Sequence, residues 1–372
     1  MPAWIRLLRE VEILADASVD RALQDVPCLS LDEVQQRPVT FHTPAFRHYY
    51  SEELPSARGH WPALSITGPD CRLQCDHCKG GVLGNMIPVT TPAVLRQRVE
   101  QLVAQGMEGF LLTGGSNLRN EVEYGPFWPV VADLKREFPH LQIACHTALM
   151  DADGVACMAQ AGIDIAMLDV IGARDTIRQV YHLKREVDDF EATLARLVAS
   201  PMRVVPHIVL GLHYGYLLGE WRALEIVARH RPDALVLVVA MPVFASAIRP
   251  FRVPGHAVIG RFFHAARRRL PTLPLMLGCA RPPGLARTHI DALAVMTGFD
   301  GIAQPAEGVV ELAARAGRPV RVAASCCSSP LPVATTGEVL TLPDILACRT
   351  APSSPAGTEV RVAVPSLRGI VA

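Results

Sequence analysis

The chain has no charge of either sign in excess. Its 36 lysines and arginines face 36 aspartates and glutamates, so the formal net charge is zero. A protein that tracks a phosphate backbone ordinarily carries a clear basic surplus. None is present, although a local patch such as Arg267-Arg268-Arg269 hides in the average, and no nucleic-acid partner is expected. Long apolar runs are missing as well. The longest, Ala234 to Ala245, contains Pro242 and falls far short of the ~20 residues that span a bilayer, so no membrane partner is expected either. The first residues, MPAWIRLLREVEIL, place Arg6 and Arg9 inside the apolar stretch; they read as an amphipathic helix, without the uninterrupted core of a signal peptide. Glycine (27) and proline (30) make up about 15% of the chain, below the roughly 25–30% of low-complexity sequences. With 50% hydrophobic and 19% charged residues, the chain can bury a large core and is a folded protein.

Cysteine, by contrast, is plentiful, with ten in 372 residues. Such a chain is secreted and cross-linked, metal-binding, or rich in buried thiols. Without an export signal the expected location is the reducing cytoplasm, where clustered cysteines more often hold metal than form disulfides.

Short apolar runs recur between helical patterns. They are Ala63 to Thr67, Gly109 to Thr113, Leu141 to Thr147, Asp164 to Val170, Arg203 to Gly211, Ala234 to Ala240, Leu273 to Gly278 and Asp300 to Gln304. Segments such as VLRQRVEQLVAQG and EGVVELAARAG stand between them, several ending in a helix-stopping glycine. Near-continuous apolar strands alternating with helices predict a parallel sheet covered by helices. Eight units make a (β/α)8 TIM-type barrel, with chemistry on the loops after each strand's C-terminal end. The expected division is an N-terminal extension over 1–60 that packs against the barrel, the barrel over 61–325, and a C-terminal Cys-containing segment and tail over 326–372. The tail is Ser/Pro/Gly-rich at APSSPAGTE and is expected to be loosely ordered there. No internal repeat is evident beyond the βα alternation.

Immediately after the first expected strand stands TGPDCRLQCDHCKGG, in which Cys71, Cys75 and Cys78 form C-x3-C-x2-C. Three thiolates so closely spaced can converge on one metal centre, as iron–sulfur sites require. A structural zinc site ordinarily wants a fourth ligand and paired C-x2-C arms. His77 could be that fourth ligand, but on a tight loop between ligands it is better placed to line the site.

This motif after the first strand of a βα barrel resembles the radical S-adenosylmethionine (radical SAM) superfamily. The resemblance implies a [4Fe-4S] cluster on Cys71, Cys75 and Cys78, with SAM at the open iron and His77 beside it. Thr113-Gly114-Gly115-Ser116-Asn117 then stands where the family's backbone receives the methionyl ammonium of SAM. Ser116 replaces the family's common acidic residue, so backbone carries more of that contact. Asp169 after the fourth strand is placed to contact ribose or the amino-acid part, with Arg174 and Lys184 as carboxylate partners. Gly211 and Gly215, with Gly219 and Glu220, resemble the segment that lets adenine approach backbone. His207 and His213 flank that segment and rank below its glycines, since a lone barrel histidine is more often structural. The implied chemistry is reductive cleavage of SAM to methionine and a 5′-deoxyadenosyl radical, which abstracts hydrogen from an unactivated carbon.

The other cysteines narrow the reaction. Cys279 ends the seventh strand in LGCARPPG, followed by Arg281; Cys326 and Cys327 stand in ASCCSSP; Cys28 lies in the extension. These four are the expected ligand pool of a second [4Fe-4S] cluster, with only one of the adjacent pair expected to ligate, against a bland alternative of buried or incidental thiols. Cys145, Cys157 and Cys348 are expected to be packing residues. Over roughly residues 40 to 330, segments including HTALMDADGVACMAQAGIDIAMLDVIGARDTIRQVYHL and PHIVLGLHYGYLLGEWRAL look like the two-component (archaeal-type) lipoyl synthases. Those pairs insert sulfur into an octanoyl chain on a lipoyl carrier domain. The resemblance therefore implies an octanoylated carrier domain, a second radical SAM component, and an electron donor such as ferredoxin or flavodoxin as partners. The N-terminal cysteine triplet and C-terminal Arg-Ser-Ser of single-chain lipoyl synthases are not here. Two alternatives stand beside this reading: another radical SAM enzyme, biotin-synthase-like or cofactor-maturing, and a non-catalytic barrel holding zinc.

Overall fold

A computed structural model of the chain describes residues 3–15, 23, 25–44, 49–54, 61–241, 250–329 and 338–350. The expected loose order at APSSPAGTE and the end of the apolar run after Met241 lie outside them. All eight expected strands form: β2 (Ala63–Ser65), β4 (Gly109–Thr113), β5 (Gln142–His146), β6 (Ile165–Asp169), β7 (Arg203–Leu210), β8 (Leu235–Val239), β9 (Leu275–Leu277) and β10 (Gly301–Ala303). Four more join them: β1 (Val39–His42), β3 (Ile87–Pro88), β11 (Val320–Ala323) and β12 (Glu338–Leu340). Every residue of LVLVV in β8 is buried, as it must be in a sheet covered on both faces. The helices start where local chemistry starts them. Thr91 accepts a hydrogen bond from Val94 N at 3.2 Å ahead of Pro92–Ala104, and Asp151 accepts from Gly154 N at 2.8 Å ahead of Ala152–Gln160.

The strands lie in the order β12-β11-β1-β10-β9-β8-β7-β6-β5-β4-β2-β3, every pair parallel except β11 with β12. The architecture is the expected α/β barrel type. The segment before residue 61 does more than pack against it: β1 lies between β10 and β11, with Thr40 opposite Gly301 and Arg321. Side chains from many strands meet in one packed interior cluster that includes Trp61, Ile165, Met167, Val236, Met276 and Cys327, so the sheet curls around a shared centre. A side chain on Gly109 would fall 2.3 Å from the Trp61 ring, which explains why β4 begins with glycine. After β11 the chain turns into this interior. Ser329 Oγ donates to Gln142 Oε1 at 3.1 Å, at the start of β5.

One buried ion pair holds the loop that carries Cys279. Arg281 and Asp291 are both fully buried and joined through two guanidinium nitrogens, one at 2.5 Å and one at 2.8 Å. Arg281 also donates to the carbonyls of Gly278, Ala303 and Gln304, tying the end of β9 to the end of β10. Truncating one partner of a buried pair strands the other charge, which costs about 3–5 kcal/mol. Asp291→Ala is expected to lower stability by that amount in urea unfolding; a loss under about 1 kcal/mol would show that the pair is solvated.

Candidate functional site

The cysteine loop is shaped by turn chemistry in the residues before it. Ser65 Oγ donates to Gly68 O at 2.6 Å and Thr67 Oγ1 to Asp70 O at 2.7 Å, while Gly68 takes a left-handed φ of 59°. From Cys75 the backbone winds into a helical turn, with Cys78 N and Lys79 N both donating to Cys75 O at 3.2 and 2.9 Å. The turn places Cys71, Cys75 and Cys78 on the wall of a cavity of about 340 Å³ at the C-terminal ends of the strands.

The loop after β4 is laid against this one. Arg72 N and Leu73 N donate to Ser116 O at 3.0 and 3.1 Å, and Gly115 N donates to Thr67 Oγ1 at 2.8 Å. A side chain at 115 would stand 2.0 Å from Asp70 O. Only glycine permits that approach. Gly114, Gly115 and Ser116 all line the cavity, as expected, but the Ser116 carbonyl is engaged by the cysteine loop.

Across the cavity stand three polar side chains from successive strands, β5, β6 and β7: His146, Asp169 and His207. Their ligand atoms lie within 4.8 Å of one another, a set able to accept a divalent cation. His146 Nε2 is 3.7 Å from Asp169 Oδ1. Burial opposes charge on both, yet the pair holds Asp169 down at about 2 and raises His146. Burial and the neighbouring His146 charge push His207 down to about 4, so it is neutral at pH 7. The Nδ1 atoms of His146 and His207 sit 3.1 Å from the carbonyls of Thr147 and Val205, which turns each Nε2 toward the others. His77 lines the same cavity; its ring lies against Tyr181 at 5.1 Å, and its buried Nδ1 has no hydrogen-bond partner among the described residues.

Cys279, Cys326 and Cys327 face this cavity too. The structure therefore gathers six of the ten cysteines around one space, from segments up to 256 positions apart in sequence. Two of them form a pair with shared behaviour: the Cys326 thiolate is favoured by a hydrogen bond from Cys327 and by Ser328 Oγ at 3.0 Å, while Cys327 is held protonated. Cys75 and Cys78 behave alike, the hydrogen bond from Cys75 favouring thiolate at Cys78.

Other expected residues stay outside. Cys28 is half-buried in the extension, where Leu29 N bonds to Met296 O at 3.0 Å, and it does not line the cavity. Arg174 is exposed and paired with Glu186 at 3.1 Å, and Lys184 is exposed. Gly211 and Gly215 adopt φ of 78° and 97° but abut Pro254 and the Arg252 carbonyl instead of the cavity. Glu220 organises that loop, accepting from Gly211 N and Leu212 N at 2.9 and 3.2 Å. Cys145 is buried, whereas Cys157 is exposed, correcting its expected place in the core: it falls on the solvent side of Ala152–Gln160, whose buried side chains are Val155 and Met158. Sequence reasoning passed over His146. Its signal was position: it ends a strand on the same rim as the cysteine motif.

No protein-family model matches the chain, and no curated protein matches it in sequence. Solved structures do. HydG, a maturase of the [FeFe]-hydrogenase, aligns with a TM-score of 0.53 at 13% identity, over 85% of this chain and 75% of that one. Methylornithine synthase (PylB) aligns with a TM-score of 0.48 at 13% identity, over 80% and 77%. Streptococcus suis SuiB bound to S-adenosylmethionine aligns with a TM-score of 0.48 at 9% identity, over 71% and 58%. The fold is thus one shared with HydG.

The paired thiols have a measurable signature. At pH 6 and without metal, Cys78 and Cys326 should alkylate ahead of Cys75 and Cys327, because a lowered thiol pKa preserves thiolate as pH falls. Equal rates within each pair by peptide mass mapping would refute the asymmetry.

Proposed function

We propose that the chain is a radical SAM iron–sulfur enzyme whose Cys71, Cys75 and Cys78 hold a [4Fe-4S] cluster. We further propose that it is a lipoyl-synthase-type component that inserts sulfur into a protein-bound octanoyl chain. The observation that carries this reading is the convergence of that triad with Cys279, Cys326 and Cys327 on one cavity.

The donor set fits the cofactors. Three thiols on a tight turn leave one iron of a cubane for an exogenous ligand. Beside them, the buried Nδ1 of His77 has no hydrogen-bond partner among the described residues, and Gly114 and Gly115 line the same cavity. When bound, cluster and SAM together supply a reductive cleavage that yields a 5′-deoxyadenosyl radical. The chain's own groups bind and orient. Gly114, Gly115 and Ser116 flank the methionyl end, and Asp169, kept ionised by His146, meets the polar ribose or amino-acid part. Cys279, Cys326 and Cys327 hold a second cluster that serves as the sulfur source, without Cys28. The apolar walls at Trp61, Leu111, Met167, Val209 and Val238 suit an alkyl chain and exclude water. An octanoylated carrier domain, a second component and a ferredoxin- or flavodoxin-like donor are the partners of this reading.

Anaerobic reconstitution should give about two clusters per chain, and octanoylated carrier domain should trigger deoxyadenosine formation when the partner component is present. Cys75→Ala should abolish SAM cleavage. Cys279→Ala or Cys327→Ala should spare uncoupled cleavage and lose the thiolated product. One cluster and no octanoyl-dependent turnover would overturn the lipoyl assignment in favour of another radical SAM reaction. Stoichiometric zinc without labile sulfide would overturn both.

A further inference from the structure

Between Cys75 and His77, two cavity-lining residues, stands Asp76, which does not line the cavity. Its carboxylate points the other way and collects donors from three segments. Lys79 Nζ of the cysteine loop lies 2.5 Å from Oδ1, His182 Nε2 lies 3.0 Å from the same oxygen, and the Tyr214 hydroxyl donates to Oδ2 at 2.8 Å. Asp76 N donates to Val180 O at 2.8 Å, so backbone and side chain are both engaged. His182 follows the helix Arg174–Gln179 in the connection after β6. Tyr214 lies in the loop after β7, between Gly211 and Gly215, whose backbones bond to each other at 2.8 Å. The Tyr214 hydroxyl also lies 3.0 Å from Gln179 O, joining those two loops to each other.

The backbone is bent to make this meeting. Gln74, Lys79, His182 and Tyr214 all adopt left-handed φ, between 47° and 57°, a region that side-chain-bearing residues enter at a cost and hold only when their surroundings impose it. Two of the four flank the thiolate turn, and two are donors to Asp76 from other loops. The carboxylate is mostly buried, and Lys79, His182 and Tyr214 all donate to it.

We propose that Asp76 is a positioning residue that locks the three-thiolate loop to the loops following β6 and β7, so that one carboxylate orients the cysteines and assembles the SAM pocket. This rests on the assignment of that loop as a cluster site. The thiols themselves need only the turn after Cys75 to converge. Asp76 and Tyr214 join that turn to the loop after β7.

The test uses reconstituted holoprotein and three readouts: iron and sulfide content, SAM affinity by equilibrium dialysis, and the change in the reduced cluster's electron paramagnetic resonance spectrum on adding SAM. Asp76→Ala should keep the iron of the Cys71 site yet lose about tenfold or more in SAM affinity, as expected for hydrogen bonds to a charged group, and should lose the SAM-induced spectral change. Tyr214→Phe and His182→Ala leave the cysteine loop untouched; each should weaken SAM binding by severalfold at full iron content, and Tyr214→Phe should add little on top of Asp76→Ala. If Asp76→Ala fails to load iron or to fold, the Tyr214 and His182 variants decide alone. Wild-type SAM affinity in those variants, or in an iron-loaded Asp76→Ala protein, overturns the clamp. A wild-type protein that binds zinc without sulfide overturns the cluster assignment itself and the clamp with it.

Discussion

The site depends on one close approach between two backbones. At Gly115 the loop after β4 comes so near the Asp70 carbonyl that no side chain fits, and three hydrogen bonds run between the two loops on either side of that point. This contact fixes the height of the cysteine turn above the barrel. Asp76 faces away from the cavity because successive residues on a helical turn are rotated by about 100°. A methyl group at 115 would separate the loops and move all three thiols at once.

Much of the architecture was legible because burial on both faces leaves a plain record. Apolar runs such as LVLVV and RVVPHIVL, alternating with helical patterns, mark parallel strands whatever their tertiary context. The four additional strands left no such record. β1 and β11 are only four residues long, β3 two and β12 three, and their place in the sheet comes from partners far away in the chain. The three-cysteine loop was legible for a different reason: its thiols are close in sequence, so spacing alone carries geometry. Cys279 could be placed on the rim because it ends an expected strand, whereas Cys326 and Cys327 follow β11, which left no such record, and Cys28 could not be separated from them in sequence. The glycine loop after β7 shows the opposite limit. Its glycines serve backbone turns against Pro254 and Arg252, a requirement that looks the same in sequence as room for a ligand.

The two thiol pairs share a physical logic although one lies in a C-x2-C turn and the other in adjacent residues. In each, a buried sulfur shares a proton with a neighbour, so a single negative charge is held where two would repel. Arg281, two residues beyond Cys279, does not neutralise these sulfurs by contact; its guanidinium is engaged by Asp291 and by three strand-end carbonyls. The cavity thus has a paired, charge-neutral frame outside and titratable sulfur inside.

The inward turn after β11 has a bearing on biogenesis. A nascent chain emerges N-terminal first, so the Cys71–Cys78 turn and the loop that braces it exist long before residues 325–329 reach the interior and Ser329 meets Gln142. Until then the barrel's centre is open to solvent from within. The first thiol set is therefore made while the rim is half-built, and the second set arrives as the stopper that shuts the vessel.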